Sequence, residues 1–131
     1  MDVEIKRVVV SERQHGVALL LAVIEYPTCK LPGGYFDTYY TSMRDSVSEW
    51  LYEREIPRVR IEFSDMTRGG LIPHFTRYDY RLKCSVTCAQ DVIVVECNFN
   101  YSRGGVPIKQ SAPRQIWSKS DGLMLRKMKK S

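Results

Sequence analysis

Residues 78–101 read YDYRLKCSVTCAQDVIVVECNFNY, two alternating runs on either side of a polar break. In the first, Tyr78, Tyr80, Leu82, Cys84, Val86 and Cys88 fall on one face, and Asp79, Arg81, Lys83, Ser85 and Thr87 on the other. In the second, Ile93, Val95, Cys97, Phe99 and Tyr101 stand opposite Glu96, Asn98 and Asn100. Side chains on a strand alternate between the faces of a sheet, so each run predicts a half-buried strand. Gln90-Asp91 sits where a two-residue hairpin turn belongs, although the favoured glycine is missing. That centre pairs Cys88 with Ile93, Val86 with Val95, Cys84 with Cys97 and Leu82 with Phe99. Both apolar sets then land on one side of the sheet. A slip of one residue would turn one set to water, so register and pattern support each other.

Such a face needs a cover, and residues 35–55 supply it. Here the apolar period changes from two to 3.6. Phe36, Tyr39, Tyr40, Met43, Val47, Trp50 and Leu51 recur at helical spacing, with Asp37, Arg44, Asp45, Ser48 and Glu49 filling the other side. This predicts an amphipathic helix whose aromatic stripe is a core face. Pro57 predicts that the helix stops near Glu55. Upstream, residues 2–10 are β-branched, 11–16 are polar and end in Gly16, and 17–26 are almost continuously apolar. They predict a hairpin whose second strand is buried on both faces or central in the sheet. Pro27, Pro32, Gly33 and Gly34 mark a loop.

Between helix and hairpin, Val59, Ile61 and Phe63 alternate with Arg58, Arg60 and Glu62, which predicts a further strand over 58–66. Beyond the hairpin, residues 102–111 carry Arg103-Gly104-Gly105 and Pro107 and predict a loop. A small closing hairpin is expected from Ile116 and Trp117, the Asp121-Gly122 turn, and residues 123–125. The fold class expected is α+β: one amphipathic helix packed on a curved, mostly antiparallel sheet. It forms a single domain over residues 1–125, followed by a basic tail over 126–131.

A chain of 131 residues is long enough to bury a core without metals or disulfides. Its 44% hydrophobic and 27% charged residues argue against disorder. Net charge is +5, but Arg126, Lys127, Lys129 and Lys130 account for four of these, leaving a body near about +1. The basic patch expected of a nucleic-acid binder is therefore missing from the body. No apolar run approaches the roughly 18 residues of a membrane span, and 17–24 reads as a buried strand, not a signal peptide. Without a signal the expectation is cytoplasmic; with one removed ahead of Met1 it is the cell envelope.

The four cysteines are Cys29, Cys84, Cys88 and Cys97, with no C-x-x-C and no neighbouring histidine. Cys84 and Cys88 would lie about 13 Å apart on a strand, too far for one zinc. No metal or other cofactor is implied. Cys84 and Cys97, directly opposed, fall at about 4.5–5.5 Å between Cα atoms, which a disulfide can bridge. The alternative is two buried thiols acting as small apolar groups, and the lack of an export signal favours it. His15 lies in a turn and His74 beside Pro73, neither placed to activate a nucleophile. Gly33-Gly34 and Gly69-Gly70 lack the strand-to-helix setting of a phosphate loop. No catalytic group emerges. The best candidate for recognition is Tyr101, Arg103, Gly104, Gly105 and Pro107, because a strand end followed by glycines allows close backbone approach.

The order of elements, with Glu25-Tyr26-Pro27 ending a strand, then the Tyr-rich helix and long strands, resembles the RsiV-like extracytoplasmic module. That module is also similar to the non-catalytic N-terminal region of PdaC-type polysaccharide deacetylases. The resemblance rests on Asn100-Tyr101-Ser102-Arg103-Gly104-Gly105 and Ser120-Asp121-Gly122-Leu123-Met124-Leu125, and covers residues 17–125. Where the family carries Gly-Gly-Ala-His, this chain has Gly104-Gly105-Val106-Pro107 and no histidine; the family's second helical half is missing too. The resemblance implies a shortened relative: a non-enzymatic binding or sensing domain facing the cell envelope. A rival is a cone-shaped fold of the nuclear-transport-factor type. In it Tyr39, Tyr40 and Met43 of the helix, with Tyr78, Tyr80 and Tyr101 of the strands, would line a small-molecule pocket, even an enzymatic one. The expected partner is a protein or small ligand, and an exposed sheet edge offers two copies a surface to pair across.

Overall fold

A computed structural model gives the structure of the protein and describes residues 2–128. Strand β1 (Glu4–Gln14) turns at His15 and Gly16 into β2 (Val17–Thr28). His15 and Gly16 both have left-handed backbone, φ 50° and 78°, the signature of a tight hairpin turn. After the helical region come β3 (Tyr78–Cys88), β4 (Val92–Arg103), β5 (Val106–Ser111), β6 (Arg114–Ser118) and β7 (Met124–Met128). They form one curled seven-stranded sheet in the order β1-β2-β3-β4-β6-β7, with β5 beside β4. The last strand reaches Met128, inside the basic stretch 126–131; residues 129–131 lie outside the described residues.

The β3–β4 register is the expected one: Leu82 opposite Phe99, Cys84 opposite Cys97, Val86 opposite Val95 and Cys88 opposite Ile93. Tyr78, Tyr80, Leu82, Cys84, Ile93, Val95 and Cys97 are buried, and Phe99 and Tyr101 half-buried. β2 occupies the expected central place, antiparallel to β1 but parallel to β3. A parallel pair cannot be joined by a hairpin. The chain therefore crosses from the end of β2 to the start of β3, and the helix is that crossing.

The crossing is longer than the sequence suggests. Helix α1 (Tyr35–Trp50) runs into a single wide π turn (Leu51–Glu55) and on into helix α2 (Ile56–Arg68). The expected strand over 58–66 is thus a helix, and the expected stop near Glu55 is only a change of winding. Two physical reasons account for this. Proline lacks an N–H and crowds the carbonyl four residues before it, but the first turn of a helix tolerates it. Pro57 occupies that position in α2, just after a turn in which the Ile56 N–H reaches back five residues to the Leu51 carbonyl. Moreover, Val59 and Phe63 are four apart, so they share a helix face as readily as a strand face. Both are buried, whereas Ile61 between them is 64% exposed, as only a helix allows.

A second correction concerns residues 102–111. β4 runs to Arg103, turns on Gly104 and Gly105 at φ 69° and 94°, and returns as β5. Pro107 and Lys109 belong to β5, an edge strand along the upper half of β4, with β6 pairing the lower half. Proline and lysine are residues that edge strands commonly carry. The closing hairpin β6–β7 forms as expected.

Helix and sheet enclose the core. Phe36, Tyr40, Leu51, Ile56, Val59 and Phe63 from the helices meet Leu20, Ala22, Ile24, Tyr80, Leu82 and Val95 from the strands. Each large side chain removed from water contributes roughly 1.5–3 kcal/mol. Trp117 of β6 packs edge-on against Phe36, with ring centroids 5.2 Å apart, and so closes the far end. Phe63→Ala should lower stability by about 3–5 kcal/mol, and Ile61→Ala by no more than about 0.5 kcal/mol. Chemical denaturation of the two variants checks this; equal losses would speak for an alternating strand.

Candidate functional site

The apolar stripe of the helical region is interrupted by one charge. Glu55 stands four residues from both Leu51 and Val59, and only 1% of it is exposed. The widened π turn sets it against the sheet, and such turns recur at functional sites. A buried carboxylate is costly unless paired and hydrogen-bonded. Here one oxygen, Oε1, accepts a hydrogen bond from the Tyr80 hydroxyl at 2.6 Å and another from Arg103 Nε, also at 2.6 Å. Arg58 Nε lies 4.0 Å from the other oxygen.

Arg103 also packs against two aromatic rings. Its guanidinium carbon sits 5.2 Å from the Tyr101 ring centre and 5.9 Å from that of Trp50. Trp50 meets Tyr80, Phe99 and Tyr101 edge-on, and the Tyr80 and Tyr101 rings stack with planes 11° apart. Residues from α1, the π turn, β3 and β4 thus make one aromatic cage around one ion pair. Beside it opens a groove of ≈ 480 Å³ lined by Ser46, Val47, Trp50, Phe99, Tyr101, Arg103 and Gln110. Val106 and Ile108 of β5, which pair with Arg103 and Tyr101, are exposed along the same hairpin.

Next to the cage, burial first and then a hydrogen bond with the Glu62 carboxylate push the Tyr78 phenol up to about 12. Glu62 Oε2 is buried without a hydrogen-bond partner. Burial, then Glu55, raises the Tyr80 phenol above the ordinary tyrosine value. Phenols held this way stay protonated at neutral pH and act as hydrogen-bond donors.

The residues singled out from sequence fall into separate places. Tyr101 and Arg103 enter the cage, and Gly104 and Gly105 form the turn beyond it. Pro107 belongs to the opposite face of the sheet, where with Leu21, Val23, Asp79, Arg81, Asn100 and Ser102 it borders a shallow hollow of ≈ 370 Å³. The tyrosines divide likewise. Tyr78 and Tyr80 lie near the π turn. Tyr40 lies in the packed interior, where its hydroxyl accepts from Trp117 Nε1 at 2.9 Å and donates to Gln115 Oε1 at 3.0 Å. Tyr39 packs on Trp117 at the same end. Cys84 and Cys97 face each other in the core with sulfurs 2.6 Å apart. His15 is exposed in a turn, and His74 is exposed at the end of the short 3-10 helix Ile72–His74. Among the described residues no group of three or more His, Cys, Asp or Glu could hold a metal ion, and no helix is long and apolar enough to cross a membrane.

Sequence reasoning missed Trp50, Glu55 and Glu62 as members of the site. A signal for Glu55 was present: a glutamate at the fourth position after Leu51, on the apolar side of the helix. Pro57 disguised it as a helix end.

No family model and no curated protein matches the chain. Among solved structures, it is similar to a DUF3298 family member from Bacteroides fragilis, with 14% sequence identity and a TM-score of 0.53. The match covers 88% of this chain but 56% of that one, so the chain spans little more than half the length of its neighbour. At that identity the likeness shows a shared fold.

Arg103→Ala removes the ion-pair partner of a buried carboxylate and should cost about 2 kcal/mol in denaturant unfolding; Arg103→Lys, which keeps charge but not the fork, should recover only part of it. The raised phenols give a second prediction. Tyr78 holds its proton more tightly folded, at about 12, than unfolded, near about 10. The folded state then binds more protons across that window. This contribution to stability is complete below pH 10 and is lost as pH rises towards 12. Tyr78→Phe should flatten the alkaline loss of melting temperature; an unchanged slope would detach Tyr78 from it.

Proposed function

We propose that this protein is a non-enzymatic binding domain of the RsiV-like kind, and that it takes its ligand in the groove beside Arg103 and along the β4–β5 hairpin. The observation that carries this is the Arg103 guanidinium, fixed through Nε by buried Glu55, sandwiched near two rings, and still 26% exposed at the groove wall. A guanidinium has five donors in a rigid fork. Held in place before a ligand arrives, it loses little freedom on binding. Trp50, Phe99 and Tyr101 supply the apolar wall beside it. Apolar surface with a few convergent polar groups is the usual make-up of a ligand site. The chemistry fits a ligand with a flat apolar body and a carboxylate, sulfonate or carbonyl end. The resemblance of the Asn100–Gly105 segment to the family motif supports the choice of this hairpin, and the likeness to a DUF3298 member supports the fold that carries it.

Anilinonaphthalene sulfonate, an aromatic anion whose emission rises in apolar sites, is a suitable probe. Titration into the wild-type protein should give saturable emission. Ser46→Trp, at an exposed helical position on the groove wall, should reduce it at least tenfold without moving the melting temperature. Equal emission from both proteins would remove the groove from consideration.

A further inference from the structure

We infer that Cys84 and Cys97 are a covalent modification site, closed into a cross-strand disulfide that staples the β3–β4 hairpin from inside the core. The hydrogen-bond pattern of the hairpin places them correctly. Ala89 N–H donates to the Val92 carbonyl at 2.9 Å, which makes 89 and 92 a hydrogen-bonded pair. In an antiparallel ladder such pairs alternate with non-hydrogen-bonded ones, whose Cα atoms lie closer, at about 4.5 Å. Counting along the register, Cys84 and Cys97 form a non-hydrogen-bonded pair, and their separation falls in the range a disulfide accepts. Both side chains point to the buried face, 4% and 3% exposed. The sulfurs lie 2.6 Å apart, closer than unbonded sulfurs sit, with no atom between them. Cys97 Sγ also donates to Gln115 Oε1, 3.9 Å away. Cys88 is exposed and Cys29 is buried in the loop after β2, where its N–H bonds Asp37.

The reaction is thiol–disulfide exchange with a small-molecule disulfide or with the disulfide of a donor protein. One cysteine thiolate attacks a sulfur of the oxidant and expels a thiol. The second cysteine then attacks the mixed disulfide, forming the Cys84–Cys97 bond and expelling the second thiol. Two electrons pass to the oxidant, and the two cysteine protons end on its thiols. The hydrogen bond that the Cys84 thiol makes with Cys97, followed by burial, raises it well above its ordinary value, so the folded protein offers little thiolate. Exchange therefore takes place while the hairpin is forming, and packing then shields the closed bond from reductants.

The experiment is oxidative refolding. The reduced, unfolded chain is refolded in a mixture of oxidised and reduced glutathione, then its mass and its thiols in denaturant are measured. The expected product is two hydrogens lighter, keeps two of the four thiols, and yields one linked peptide pair containing Cys84 and Cys97. Reduction of that product should lower the melting temperature by about 10 °C, and Cys84→Ser should abolish the linked pair. Four free thiols after refolding, or a bond that involves Cys29 or Cys88, would overturn the assignment.

Discussion

A helix that must cover a whole sheet cannot afford to stop at a proline, and this protein depends on how it passes Pro57. The π turn over Leu51–Glu55 lets the rod change winding and continue, with the proline at the start of a new helix. Without α2, Val59 and Phe63 would not reach the sheet, and the parallel step from β2 to β3 would have to be bridged by irregular chain. The same turn fixes the position of Glu55. One local solution to a backbone problem thus supplies the rear half of the core's cover and, among the described residues, the one charged residue that is wholly buried in it.

That charge organises the site. Because Glu55 is almost wholly removed from water, it requires Arg103 and Tyr80 to face it. Their placement in turn orders Trp50, Tyr101 and the base of the β4–β5 hairpin. Tertiary contacts therefore make an aromatic and cationic surface rigid, in a region that the sequence presents as a glycine turn. Binding sites benefit from such support because the freedom lost on ordering has already been offset by folding. At the other end of the core, Tyr40, Gln115 and Trp117 form a second buried polar cluster. It joins α1 to β6.

Periodicity was sufficient where a segment has only one period available. The runs 78–88 and 93–101 alternate over many residues, so a single register satisfies them, and the stripe from Phe36 to Leu51 fits only a helix. It failed over 58–66. There three apolar residues at every second position, two of them also four apart, fit both periods, and Arg58 and Arg60 beside them are at home on either exposed surface. The candidate site was legible in half. Tyr101 and Arg103 stand out beside glycines, but their partners come from the helix, about fifty residues earlier in the chain.

By itself, then, the sequence determined the class of fold, the β3–β4 register and the face that each strand buries, because alternation and turn chemistry act over short distances. Only the tertiary structure decided that the helix outlasts its proline, that Glu55 points inward, and that Arg103 is its counter-charge. Those outcomes depend on which distant groups can satisfy one another once water is gone, and no local pattern encodes that.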